Sequence, residues 1–355
     1  MSDHPVLFIP GPTEVDAELR AILAMPLVGH REASFVAVVQ DVCRRLQDLY
    51  RTRRLAAFET CPATALMEAG IRNLVPRGGR SLHLVCGAFS ERWQQIAAAC
   101  GRSAEALTVP LGHAHDPDVL RRRLQHGPRV DAVAITHNET ATGVIEPLHE
   151  LAQTIRTAAP DTLILVDVVT SLAGAEVRFD DWGLDFAFAG TQKCLALPPG
   201  LCTFTASERA LQRAAGIDER GFLLDLPRTL QETSEGKTLA TPCVPLVFAL
   251  KHQLERIERE GLPARQARHR AMRDLVLGWA EGRGMGPFVA AAAARSPTVS
   301  CIDARGADVG ALAQKATRAG FRIDQGYGPL RGKAFRIGHM GDHTEQRVRS
   351  LLAAL

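Results

Sequence analysis

Two stretches decide the fold: "TLILVDVV" (162–169) and "DFAFAGTQKCLALPPG" (185–200). Each is an apolar run of one strand's length that ends in polar residues and a turn. Similar runs stand at "SLHLVC" (81–86), "VDAVAITH" (130–137) and "LCTFTA" (201–206). Apolar residues recur with helical spacing between them, over 61–75, 90–100, 116–125 and 146–158. Continuous apolar strands alternating with helices imply an α/β fold, with a mixed, mostly parallel sheet covered by helices on both faces. The polar stretch 215–243 breaks the alternation and reads as a long loop. A strong helix follows at 245–261, with Leu246, Leu250, Leu254 and Ile257 on one face. Strands near 298–304 and 334–340 and helices over 307–319 and 343–355 describe a smaller α+β unit. The expected organisation is an N-terminal arm (1–20), a large domain (21–249) and a small C-terminal domain (250–355).

Composition bounds the function. The chain has 355 residues, 46% of them hydrophobic, enough for more than one core. A net charge of +3 argues against a protein held to nucleic acid by broad phosphate attraction. Eight cysteines are scattered without a CxxC pair, as expected of buried thiols in a reducing cytoplasm rather than of a disulfide framework or metal site. The start "MSDHPVLFIPGPTEV" lacks the basic-then-apolar pattern of a signal peptide, and no apolar run reaches membrane-spanning length. The expectation is a cytoplasmic protein with no nucleic-acid or membrane partner.

Lys193 lies between an apolar run and a Pro-Pro-Gly turn, and Asp167 closes another apolar run 26 residues earlier. Alone, Lys193 reads as a strand-end lysine reaching water. A buried carboxylate is costly unless a cation meets it, and open α/β sheets bind ligands at the carboxyl ends of their strands. An amine and a carboxylate at one rim suit pyridoxal 5'-phosphate, which takes a Schiff-base lysine and an acidic partner for its ring nitrogen. The segment "HNETAT" (137–142) also follows a strand. Its polar residues are turn and capping residues, or contacts to the cofactor's ring hydroxyl.

The ordered blocks "PGPTEV" (10–15), "GHR" (29–31), "HNETATGV" (137–144), "VDVVTSLAG" (166–174), "GTQKCLALPPG" (190–200) and "FRIGHMGD" (335–342) resemble the class V aminotransferases. Within them the likeness is to the alanine–glyoxylate and serine–glyoxylate (serine–pyruvate) group. It implies fold type I of the pyridoxal-phosphate-dependent transferases and a ping-pong transamination between a small amino acid and a 2-oxo acid. Residue by residue, it implies Lys193 as the Schiff-base lysine and Asp167 on the pyridinium nitrogen. Val169 and Phe89 would lie against the two ring faces, and Thr140 would bond the phenolic oxygen. Ala63, Thr64 and Gln192 would take the phosphate, although Pro62-Ala63-Thr64 replaces a more Gly- or Ser-rich turn. Thr241 would reach the phosphate from the other subunit of a homodimer. Arg336 would hold the substrate carboxylate, with His30 in support. Taken singly, Phe89 also reads as core, Thr241 as part of a helix start and Arg336 as a surface-paired arginine.

Other readings remain on the same scaffold: an aminophosphonate transaminase, a lyase, a desulfurase or a catalytically silent cofactor-binding protein. A desulfurase needs a mobile cysteine, and no late Cys-bearing Gly/Ser-rich loop stands out. A silent regulator usually adds a DNA-binding module, for which no residues are left over. No G-x-G-x-x-G follows a strand, which speaks against a dinucleotide site.

Overall fold

The computed structural model describes residues 4–355. Its centre is a seven-stranded sheet. The order across it is Ala56–Glu59, Cys202–Ala206, Phe186–Gly190, Leu163–Asp167, Ala132–Thr136, Arg80–Val85 and Ser103–Thr108. Only Cys202–Ala206 runs against its neighbours; the other strands share one direction. The three strands Ala132–Thr136, Leu163–Asp167 and Phe186–Gly190 are buried throughout, which is why they read as unbroken apolar runs.

Successive side chains enter opposite cores. Ile164 and Val166 join the helices Ala33–Tyr50, Leu148–Ala158 and Val244–Glu260. Leu163 and Leu165 join Ala63–Leu74, Ala88–Ala99 and Leu226–Ser234. By the same alternation Asp167 falls on the face of Leu163 and Leu165. The helices starting at Ala63 and Ala88 each follow a strand end, so their N-termini stand at the rim where Asp167 emerges.

A separate core surrounds the antiparallel sheet Gly286–Pro287, Val299–Asp303 and Ala334–Gly338, with helices Leu262–Glu281, Val309–Arg318 and Glu345–Ala354. The N-terminal strand Val6–Phe8 pairs in parallel with Phe321–Ile323, and Phe8 is buried in that core. Among the described residues no helix is long and apolar enough to cross a membrane.

The expected loop over 215–243 is corrected in one respect. It contains the helix Leu226–Ser234, whose start is capped by Asp225 accepting from the Arg228 N–H. Leu226, Thr229, Leu230 and Thr233 are its buried face. Two of those four are threonines, so the helical period is muted in hydropathy. The strand Ser103–Thr108 is missed for a similar reason: it is the sheet edge, half solvated and polar.

One buried ion pair ties the large sheet together. His115 Nδ1 meets Glu146 Oε1 at 2.7 Å, and its Nε2 meets the Leu107 carbonyl at 2.8 Å. The His115 N–H donates to Glu146 Oε2 at 2.9 Å. Both ring nitrogens therefore face acceptors, the arrangement of an imidazolium. Burial pulls the His115 pKa down, but the Glu146 hydrogen bond and charge, with the Leu107 carbonyl, outweigh it and leave the pKa raised. A raised folded-state pKa gives stability that is full below the unfolded value, about 6.5, and is lost as pH climbs through the folded value. His115→Leu should cost about 3 kcal/mol near neutral pH, because it strands a buried carboxylate. The gap in denaturant midpoint between wild type and variant should narrow from pH 6 to pH 9; a gap that stays constant or widens refutes the imidazolium.

Candidate functional site

The strands Leu163–Asp167 and Phe186–Gly190 are parallel neighbours, with Asp167 beside Phe188. They therefore deliver Asp167 and the 191–200 loop to the same rim. That loop is closed on itself: Thr191 Oγ1 donates to Pro198 O at 2.7 Å, and the Leu197 N–H donates to Thr191 O at 3.0 Å. Lys193 is thus held in place and buried, with its Nζ donating to the Pro10 carbonyl. Gly11 makes this approach possible. Its φ is +108°, and a Cβ there would lie 2.6 Å from Lys193 Nζ.

Both charges are out of water, yet no ion pair within 4.0 Å joins them. Burial pushes the Asp167 carboxyl up to about 7, moderated by its 2.8 Å hydrogen bond from the Val169 N–H. Burial and then the charge of Arg336 pull Lys193 down to about 8, with Asp167 and Glu139 acting against them. The Lys193 Nζ lies 5.9 Å from the centre of the half-buried Phe89 ring.

Phe89 is positioned by Glu139, which is fully buried. Glu139 Oε2 accepts from the Phe89 N–H at 2.9 Å and the Ser90 N–H at 3.1 Å, while Oε1 accepts from the Ala141 N–H at 3.0 Å. The carboxylate thus sits on the positive end of the helix Ala88–Ala99. Burial pushes its pKa up, and these N–H groups pull against that.

The rest of the 137–142 segment divides into braces and one open group. His137 Nδ1 meets Ser171 Oγ at 2.9 Å, and burial drops its pKa to about 3, so it is neutral. Asn138 Nδ2 donates to Thr298 Oγ1 at 2.9 Å. Thr140 offers its carbonyl to Arg336, and among the described residues its hydroxyl has no hydrogen-bond partner.

Arg336 comes from the small sheet, in the strand Ala334–Gly338, and is 4% exposed, which removes the surface-paired reading. Its Nε donates to Asp324 Oδ1 at 2.8 Å and its Nη1 to the Thr140 carbonyl at 2.9 Å. Among the described residues its Nη2 has no acceptor. Asp324 is itself locked: its backbone exchanges two hydrogen bonds with Arg336, and its Oδ1 also accepts from the Gly326 N–H.

The helix Ala63–Leu74 opens at Pro62 with no side-chain cap, so the N–H groups of Ala63 and Thr64 are presented at the rim. Gln192 is half-buried beside Gly190. Thr241 is exposed, two residues before Cys243, whose N–H donates to Thr60 Oγ1 at 2.8 Å. His30 is half-buried and, among the described residues, forms no hydrogen bond with Lys193, Asp167 or Arg336. The structure therefore brings Lys193, Asp167, Val169, Phe89, Thr140 and Arg336 to one rim, to which no hydrogen bond ties His30 among the described residues. Sequence reasoning missed Asp324, Glu139 as an anchor, and the Pro10–Gly11 contact. The block "PGPTEV" (10–15) counted only toward the family resemblance, and nothing in it points to Lys193 as its neighbour.

An amine, a carboxylate, an aromatic face and an uncapped helix start at the end of a mostly parallel sheet are the parts of a pyridoxal-phosphate site. The family model Aminotransferase class-V matches residues 60–328. The chain is 34% identical to an uncharacterized aminotransferase of Methanocaldococcus jannaschii, covering 99% of this chain and 91% of the relative. It is 29% identical to an L-aspartate–glyoxylate aminotransferase of Paracoccus denitrificans, covering 99% and 90%. The crystal structure of an alanine–glyoxylate aminotransferase from Nostoc sp. matches with a TM-score of 0.93 at 29% identity, covering 100% of this chain and 95% of that one. The chain belongs to the class V aminotransferases. It is a pyridoxal-phosphate-dependent enzyme of fold type I, with an amino acid and an oxo acid as substrates.

Asp324 fixes the guanidinium of Arg336, the residue expected from the family resemblance to take the substrate carboxylate. Asp324→Ala should raise KM for the amino acid by roughly tenfold and change kcat less than about threefold. Steady-state kinetics with Asp324→Asn as the conservative control check this; an unchanged KM refutes the positioning role.

Proposed function

We propose that the chain moves an amino group from a small amino acid, alanine or serine, to a 2-oxo acid such as glyoxylate or pyruvate, in two half-reactions of ping-pong type. The observation that carries this reading is the open Nη2 of buried Arg336, whose charge also acts on Lys193. A guanidinium held by two bonds and left with free donors is suited to a carboxylate. The acceptor is inferred from the relatives, of which those from Paracoccus denitrificans and Nostoc sp. are named for glyoxylate with different donors.

In this reading the bound cofactor supplies an electron sink for the carbon that loses its proton. Asp167 holds the proton of the ring nitrogen, and Thr140 donates to the phenolic oxygen. Phe89 and Val169 pack on the ring faces. The N–H groups of Ala63 and Thr64, the Thr64 hydroxyl and Gln192 take the phosphate. Arg336 orients the substrate carboxylate, with His30 supporting that side. Lys193 Nζ, drawn down to about 8, accepts the substrate Cα proton and gives it up again. The exposed Thr241 serves the site of a second copy in a homodimer. The part of the chain from residue 250 is the small domain that carries Arg336.

Cys194 does not offer a desulfurase nucleophile. Its Sγ donates to the Thr170 carbonyl at 3.0 Å, and burial pushes the thiol up to about 12.

Lys193→Ala should abolish alanine–glyoxylate and serine–pyruvate transamination, by at least about a thousandfold in kcat. Borohydride reduction followed by peptide mass spectrometry should find the cofactor's mass on the Lys193 peptide in wild type alone. Turnover retained in Lys193→Ala, or the mass on another lysine, rejects the reading.

A further inference from the structure

A cavity of about 410 Å³ lies against the start of the helix Ala88–Ala99, beside the rim residues Phe89 and Thr140. Its lining includes Ala88 and Ala141, the chain neighbours of Phe89 and Thr140, together with Leu111, Leu330 and Tyr327; Thr142, Glu91 and Gln94 are among its polar members. An alanine methyl or a serine hydroxymethyl group fills no more than a water or two, roughly 30–60 Å³. The space is therefore far larger than a small donor needs, and its walls are mostly apolar.

Tyr327 lines this cavity and also adjoins two residues of the site. The Arg336 guanidinium lies over its ring at 5.4 Å, and the Phe89 ring is 6.3 Å away. Its backbone lies between Asp324, which clamps Arg336, and the short turn Gly328–Leu330 that forms part of the cavity wall. The side chain is 40% exposed, and its hydroxyl has no hydrogen-bond partner among the described residues. A bulky ring that is neither core nor hydrogen-bonded, set against the carboxylate-binding arginine, acts through its volume.

We propose that Tyr327 is the specificity-determining residue for the donor's side chain. Its ring covers the mouth of the cavity and favours small donors. The apolar space behind it receives a side chain of several carbons, such as that of methionine or phenylalanine, once the ring is cut back. This rests on Arg336 holding the substrate carboxylate, because that grip is what points the side chain toward Tyr327.

The test compares kcat/KM for alanine, methionine and phenylalanine, with glyoxylate as acceptor, in holoenzyme of wild type, Tyr327→Ala and Tyr327→Ala with Leu111→Trp. Each methylene in an apolar pocket is worth about tenfold or more in discrimination. Tyr327→Ala should raise the large-to-alanine ratio at least tenfold, and refilling the cavity with tryptophan should bring it back. An unmoved ratio in an active variant overturns the proposal, as does a raised ratio that Leu111→Trp leaves in place. Tyr327→Leu should move the ratio the same way by less, and it decides the matter if the alanine variant does not fold. A wild type that binds the cofactor but transaminates no amino acid instead overturns the Arg336 reading, a result distinct from an active enzyme with an unmoved ratio.

Discussion

Two opposite charges are buried at one end of a sheet and kept from neutralising each other. Asp167 and Lys193 lie on adjacent structural segments, each shifted by burial toward its neutral form, and they are not in ion-pair contact. A paired lysine and carboxylate would be a structural strut. An unpaired couple in a low-dielectric rim is a site that gains from a ligand offering each of them a partner. The other features of the rim serve to keep these two groups in place and apart.

The restraint comes from both ends of the chain. The N-terminal strand pairs with Phe321–Ile323 in the C-terminal part, and the residues after it cross to the Lys193 loop. There Pro10 accepts from the lysine, and the Thr13 N–H donates to the Gln192 carbonyl at 3.0 Å. Arg336 makes the reverse crossing, from the small sheet to the Thr140 carbonyl in the turn that follows a strand of the large one. The rim is therefore built where two cores meet, so a movement of one against the other would change the spacing between Arg336 and Lys193. Glu139 stiffens the large-sheet side by fixing the start of the helix Ala88–Ala99 and the turn at Ala141 through a single carboxylate.

Much of this was legible in the residues. Central strands buried on both faces leave long apolar runs, so five of the seven were found; the polar edge Ser103–Thr108 and the short Ala56–Glu59 were not. The helix Leu226–Ser234 was hidden because threonines fill half its buried face. Lys193 and Asp167 stood out because charged residues at the ends of apolar runs need a reason to be there. Asp324 and Tyr327 carried no such mark: an aspartate and an exposed tyrosine in a Gly-rich turn look like ordinary surface.

The sequence by itself determined the layered α/β architecture, the two charged residues at its rim and the family blocks around them, because these depend on local hydropathy and on residue identity. Only the tertiary structure decided that Lys193 and Asp167 stay unpaired, that Arg336 is buried and clamped by Asp324, and that Tyr327 lines a mostly apolar cavity. Those are distances between segments up to hundreds of residues apart, set by how two cores pack, and no local pattern encodes them.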